Sequence, residues 1–263
     1  MIEQGVMKLW HHVEGPYLYQ EIHTLHHKAR SVEQHLRVIN GAAEQLFGER
    51  IPISASELEQ QITKLLEQNN IWPNGSTKVT LKLNAVGEYF IQCDEPSIYA
   101  GYSLRSIRPK ACLLTMDAPY PTIPSSAMEQ TRLLADARAQ QLGYDRAILC
   151  NAEKGITADA TRPMILCGGH TLLMHPSTKA TVEAERVIEV AVKLGYKVRL
   201  REFSAEHIAK AEEVMLLDWL GITSLSYIGQ RPYASFVAEH FAQEMEQEYN
   251  KKIKTRYGRS HEE

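Results

Sequence analysis

The chain has 263 residues, a formal charge of -3 and 44% hydrophobic residues, enough for one large domain or two modest ones. That slightly acidic balance argues against nucleic acid or an anionic membrane as partner, and no apolar run approaches the roughly 20 residues that span a bilayer. Cys93, Cys112, Cys150 and Cys167 lack metal-type spacing and MIEQGVMKLW lacks a secretory pattern, so free thiols in a soluble cytoplasmic protein are expected.

In chain order, Val6 to Val13 reads as a first strand, and Tyr17 to His23 alternates as a second. Thr24 to His27 turns, and Lys28 to Ser31 returns as a hairpin partner. Val32, Leu36, Ile39, Ala43 and Leu46 share one face of a helix that Gly48 ends. Ser54 or Ser56 caps the next helix, Glu57 to Asn69, whose inner stripe is Leu58, Ile62, Leu65 and Leu66. Thr77 to Ala85 and Tyr89 to Cys93 read as strands joined through Gly87. Further strands are expected around Tyr99 to Ser106 and at Lys110 to Thr115.

Pro119, Pro121 and Pro124 then interrupt regular structure. A helix follows from Ala127 to Leu142, with Leu133, Leu134, Ala137 and Leu142 as its apolar stripe and Gly143 as its stop. Arg146 to Cys150 suits a buried strand, Asn151 to Gly155 a turn, and Ile156 starts a return strand. Later helices are Glu183 to Leu194, Ala205 to Ala211 behind Ser204, and Phe236 to Asn250 before a charged, frayed tail. The pattern is α+β / α/β in two domains: 1–118, an interdomain loop over 119–126, and 127–263.

The run ARAQQLGYDRAILCNAEKGIT, followed by HTLLMHP and by ERVIEVAVKLGYKVRLREFSAEHIAKAEEVMLLDWLGITSLSYIG, resembles class IV aminotransferases. These are the fold type IV pyridoxal-phosphate enzymes, including branched-chain and D-amino acid aminotransferases and aminodeoxychorismate lyase. The resemblance extends from about Tyr17 to Met245 and implies their two-domain fold and a homodimer. It also implies where the chemistry should lie. The family's Schiff-base lysine position is filled by Ser125, with Ser126 beside it, and a hydroxyl cannot form an imine. The glutamate that protonates the pyridine is replaced by Ala158, with Asp159 one residue late; five residues beyond Ala158 stands Pro163 instead of asparagine. The phosphate arginine position is Val38, and Arg37 is displaced by about 100° around its helix. The two phosphate loops read Thr181 to Arg186, which includes Glu183 and Glu185, and Leu217 to Gly221. Glutamates suit a helix N-terminus but repel a phosphate dianion.

Lys110 and Lys179 are the nearest substitutes for the missing amine, although solvated lysines are the plainer reading. His11, His12, His23, His26 and His27 form a dense group, yet His26 and His27 diverge as neighbours, so a surface turn is expected and no metal. Arg105, Arg108 and Arg162, with Arg37, Ser125 and Asp159, are possible ligands of a small anionic molecule in the interdomain cleft, set against ordinary surface ion pairs. Trp10, Tyr17, Tyr19 and the Tyr99 to Tyr102 stretch are candidate dimer contacts.

The leading expectation is a non-catalytic binding or scaffold homologue with no cofactor. Two alternatives stay open: an active pyridoxal-phosphate aminotransferase or aminodeoxychorismate lyase with a relocated lysine, and a cofactor-free enzyme using the interdomain cleft.

Overall fold

A computed structural model describes residues 2–3, 6–7, 15–104, 108–234 and 236–258. In the first half, β1 (Ile2–Glu3), β2 (Val6–Met7), β3 (Tyr17–Leu25), β4 (Lys28–Ala29), β5 (Thr77–Asn84) and β6 (Tyr89–Cys93) form one antiparallel sheet ordered β2-β1-β6-β5-β3-β4. The helices α1 (Val32–Leu46) and α2 (Ala55–Gln68) cover one face of it. Register explains which face. Leu18 lies opposite Leu83 and Ile22 opposite Val79, and these side chains meet Leu36, Ile39, Leu58, Ile62 and Leu65 in an apolar core. Ser54 closes α2 with a capping box: its hydroxyl accepts the Glu57 amide at 3.2 Å while the Glu57 carboxylate accepts the Ser54 amide at 2.7 Å.

The second half is layered. The strand β7 (Lys110–Thr115) runs parallel to β8 (Arg146–Cys150), although the proline loop and α3 (Ser126–Gln141) lie between them in sequence. Next come β9 (Met164–Gly168), β10 (Thr171–Met174), α4 (Val182–Lys193), β11 (Lys197–Leu200) and α5 (Ala205–Lys210). The chain continues through β12 (Glu213–Asp218), β13 (Gly221–Ser224), β14 (Tyr227–Ile228), β15 (Arg231–Pro232) and α6 (Ala238–Gly258). One sheet runs β11-β10-β9-β12-β13 and the other β15-β14-β7-β8. Alternate side chains of a strand serve different layers. Val214 and Leu216 of β12 enter the core between the two sheets. Met215 and Leu217 instead meet α4 and α6 through Val187, Val190, Phe241 and Met245. Burial on both faces is why these strands read as continuous apolar runs.

Several expectations change here. Tyr99 to Leu104 form no strand, and 105–106 lie outside the described residues. Gly101 sits at φ +71, and a Cβ there would come within 2.6 Å of the Glu246 carboxylate, so the chain bends where only glycine fits. Ile156 makes only isolated bridging contacts, and the return strand begins at Met164. The proposed stripe of α3 is on the wrong face: Leu133 and Leu134 are 53% and 66% exposed and Leu142 is exposed too, while Met128, Ala135 and Ala139 pack against β7 and β8. The first strand is limited to Val6–Met7, with 8–13 outside the described residues. The expected frayed tail is helical as far as Gly258. The amides of Phe236, Val237 and Ala238 at the start of α6 donate to the buried Glu213 carboxylate.

The halves are joined by a buried ion pair. Arg30, 2% exposed, donates two hydrogen bonds to Glu246 of α6 at 2.7 and 2.9 Å, and its guanidinium stacks 4.6 Å from the Tyr102 ring and 4.0 Å from that of Tyr249. Tyr19 and Tyr102 are buried within the chain, which removes them as candidates for a dimer contact; Trp10 lies outside the described residues.

Candidate functional site

The loop Ala158 to Pro163, between β8 and β9, is where three cavities meet. The first lies inside the second half, against Ile148, Ala158, Asp159, Arg162, His175 and Phe203. The second, about 30 Å³, is bounded by Tyr19, Gln20 and Glu21 of β3, Pro124, Ala160 and Thr161, Glu183 of α4, and Asp218 and Trp219. The third, about 230 Å³, is lined by Pro109, Asp145, Arg146, Arg162, Leu216, Asp218 and Thr223. The second is the cleft between the halves.

Alternation along β3 puts Tyr17, Tyr19, Glu21 and His23 on the face away from the helices, towards this cleft. Three of these side chains meet a polar partner, each a different one. The Tyr17 hydroxyl donates to Glu129 at 2.5 Å. His23 shares a 2.7 Å hydrogen bond with Ser76, and burial first, then Arg30 and His35, holds its pKa well below the usual histidine value. Glu21 receives Lys78 at 3.3 Å. Tyr19 is 2% exposed and its hydroxyl has no hydrogen-bond partner. Burial raises the Tyr19 phenol pKa; Arg132 opposes this, while Glu21, Glu129 and Asp159 reinforce it.

Across the cleft, α4 begins with Thr181 accepting the Ala184 amide. Glu183 follows, its carboxyl raised to about 7 by burial; the helix amide opposes this and the charges of Asp218 and Glu21 add to it. Asp218 accepts the Leu220 amide at 3.0 Å. Three carboxylates therefore line the cleft cavity, and among the described residues no lysine, arginine or histidine does.

The positions singled out from sequence fall as follows. Ser125 is the N-cap of α3, its hydroxyl accepting the Met128 amide at 3.3 Å, and Ser126 Oγ accepts the Tyr17 amide at 3.2 Å. Ala158 is buried. Asp159 is not on a strand at all: Oδ1 accepts the Thr161 amide at 2.8 Å, the Thr161 hydroxyl at 2.6 Å and the Arg162 amide at 3.1 Å, fixing a turn. Arg162 lines two cavities, but its guanidinium is held by Asp136 of α3 at 2.9 and 3.2 Å. Burial works to raise the Asp136 carboxyl, yet Arg162 and the Ala147 amide prevail and lower it.

Val38 is half-buried on α1, and Arg37 points to the surface, where it pairs with Glu185 at 2.7 Å. Arg108 donates to Ser224 Oγ and to the carbonyls of Leu225 and Tyr233. Arg105 lies outside the described residues. Lys110 and Lys179 are exposed, and neither lines any of the three cavities.

His26 and His27 sit at φ 53 and 57 in the β3–β4 turn, and His11 and His12 lie outside the described residues. No group of three or more His, Cys, Asp or Glu side chains among the described residues is placed to hold a metal ion. The sequence reading passed over Tyr19 and Glu21 as cleft residues. The alternation of YLYQEIH carried that signal, since it puts the two on one face.

Residues 19–224 match the family model described as amino-transferase class IV. No curated protein sequence matches the chain. Among solved structures, the branched-chain aminotransferase of Thermoproteus uzoniensis with norvaline aligns at 16% identity and TM-score 0.74, over 89% of this chain and 85% of that one. The Escherichia coli branched-chain aminotransferase aligns at 18% and 0.73, over 92% and 91%. A fold IV-transaminase from Curtobacterium pusillum aligns at 13% and 0.73, over 92% and 86%.

Proposed function

The chain belongs to the amino-transferase class IV family, and on that premise we propose that it is a non-catalytic binding or scaffold homologue that does not hold pyridoxal phosphate. The observation that carries this reading is the use of Ser125. Where the family's lysine is expected, the side chain is a hydroxyl already engaged with the Met128 amide, so it presents no amine to an aldehyde. The surroundings agree. Ala158 offers no acid to a pyridine nitrogen and Val38 no charge to a phosphate. At the α4 N-terminus Glu183 faces a cavity of about 30 Å³, which is room for one or two waters. A phosphate dianion placed there would meet Glu183, Asp218 and Glu21. The residues present do not fit the cofactor.

The test is spectroscopic. The purified protein incubated with pyridoxal phosphate should show no internal aldimine band near ~420 nm and no transaminase turnover. A stable, borohydride-reducible band mapped to Lys110, Lys179 or any other lysine would overturn the reading.

We place the protein in the cytoplasm as a homodimer. Among the described residues no helix is long and apolar enough to cross a membrane. The exposed Leu133 and Leu134 of α3 offer an apolar surface for a second copy. Light scattering at micromolar concentration should give twice the chain mass, and a monomer mass would contradict the dimer.

A further inference from the structure

We propose that the outer edge of β11 takes up an extended peptide of a partner protein, one that alternates acidic and apolar residues and adds to the sheet as a further strand. No residue of β11 borders any of the three cavities, so the inference does not depend on what the cleft holds.

The sheets end in the edges β2, β4, β8, β11, β13 and β15. Of these, β2, β4 and β15 have two residues each, while β8 and β13 are buried almost throughout. Among the described strands only β11 is an edge that is both four residues long and mostly exposed. Its pairing shows what it offers. The amides of Lys197 and Arg201 donate to the carbonyls of His170 and Met174, at 2.9 and 3.0 Å, across to parallel β10. In a parallel strand, alternate residues bond to opposite sides. The N–H and C=O groups of Val198 and Leu200 therefore point to the outer edge, where a further strand can pair with them.

The side chains select the partner. Lys197, Arg199 and Arg201 share one face of the strand, and all three are exposed. No acidic residue occurs from Val190 to Arg201. Lys193, the other cation of that stretch, is engaged by Glu244 and Glu248. Arg201 donates to His207 Nε2 at 2.7 Å and to the Glu202 carbonyl at 3.4 Å, which holds it beside the edge. On the other face Val198 packs against the core under α4 and α6. Leu200 is 41% exposed there, and Val192 of α4 is 63% exposed. An added strand would lay every second side chain along the cations, at a spacing of about 7 Å, and the others beside Leu200 and Val192. Acidic residues suit the first set and apolar ones the second.

The same cations exclude other occupants. A second copy pairing through its own β11 would set cations against cations. A nucleic-acid backbone would meet the charges, but its phosphates are acceptors, and the outward carbonyls of Val198 and Leu200 call for donors.

Fluorescence anisotropy tests this with the full chain and an end-blocked, rhodamine-labelled hexapeptide that alternates glutamate and valine. Saturable binding is expected at about 50 mM salt, at least fivefold weaker at about 500 mM as surface charges are screened. Arg199→Glu, a change at an exposed position, should bind at least tenfold more weakly. Two further peptides carry N-methyl groups on one or the other set of alternate amides. The one methylated on the edge facing β11 should lose at least tenfold, and the other should not. An isomer with its glutamates and valines in separate blocks should bind at least fivefold more weakly. Absence of saturable binding, equal affinity in Arg199→Glu, full binding of both methylated peptides, equal binding of the block isomer, or tighter binding of an oligothymidylate of the same net charge would each overturn the proposal.

Discussion

The two faces of β3 make an instructive contrast. On one, Leu18 and Ile22 are buried against α1 and α2, and Gln20 between them is hydrogen-bonded to His35 of α1. On the other, Tyr19 and Glu21 of the same strand border a cleft that Glu183 and Asp218 also line, and the Tyr19 phenol has no hydrogen-bond partner. One nine-residue strand thus carries both a face packed into the core and a face that borders the cleft. Packing constrains the first face atom by atom, because core volume changes are felt at the level of a methylene. The second face is bounded by loops and helix ends, which accept new side chains without moving the strand.

That contrast predicts unequal effects. The largest belongs to the packed face: Ile22→Ala should destabilise by about 2–4 kcal/mol, read as a lowered urea midpoint at unchanged slope. A loss below about 1 kcal/mol would mean the face is not the rigid one.

The cleft face should respond to pH. Glu183 has its carboxyl raised from 4.5 to about 7, so the neutral form is the one the folded state favours. Its contribution is fully present below 4.5 and lost as pH rises through 7, on the order of 2–3 kcal/mol. Unfolding measured for wild type and Glu183→Gln across pH 4–8 should show the wild type losing ground steadily over that window. Parallel curves would show that Glu183 is solvated.

The smallest effect concerns the junction of the two faces, where Ser125 pairs with Leu18. Ser125→Lys removes the α3 cap and should cost about 1 kcal/mol. It should restore no aminotransferase activity, since groups that act as a unit do not recover singly. Measurable turnover in this variant would show that the cradle had been misjudged.

Much of the fold was legible because its strands and helices obey simple periods. The α2 stripe, the α1 stripe apart from the exposed Leu46, and the β3, β5 and β6 strands follow from helical and strand periods. On α3 the large apolar residues Leu133, Leu134 and Leu142 do not mark the buried face. Leu133 and Leu142 are nine apart, about 180° around a helix, so they cannot share a face. The buried positions are Met128, Ala135 and Ala139, two of them small residues that give a weak apolar signal. The strand expected around Tyr99 to Ser106 does not form over Tyr99 to Leu104, where Gly101 takes a positive φ against a carboxylate 145 positions away. Such distant partners leave no periodic trace. The same holds for the cleft: sequence showed what Ser125, Ala158 and Val38 are not, while only the fold brings Glu21, Glu183 and Asp218 around one space.

The pair of Arg30 and Glu246 has a consequence for how the protein comes into being. Its partners are 216 positions apart, one in an early hairpin and one in the last helix. During synthesis at about 5–20 residues per second, Arg30 waits roughly 10–40 s for its carboxylate to leave the ribosome. Throughout that interval the first sheet and its two helices can pack, but the guanidinium destined for burial must stay hydrated. A chain lacking Glu246 would leave the Arg30 guanidinium beside the Tyr102 ring without its carboxylate.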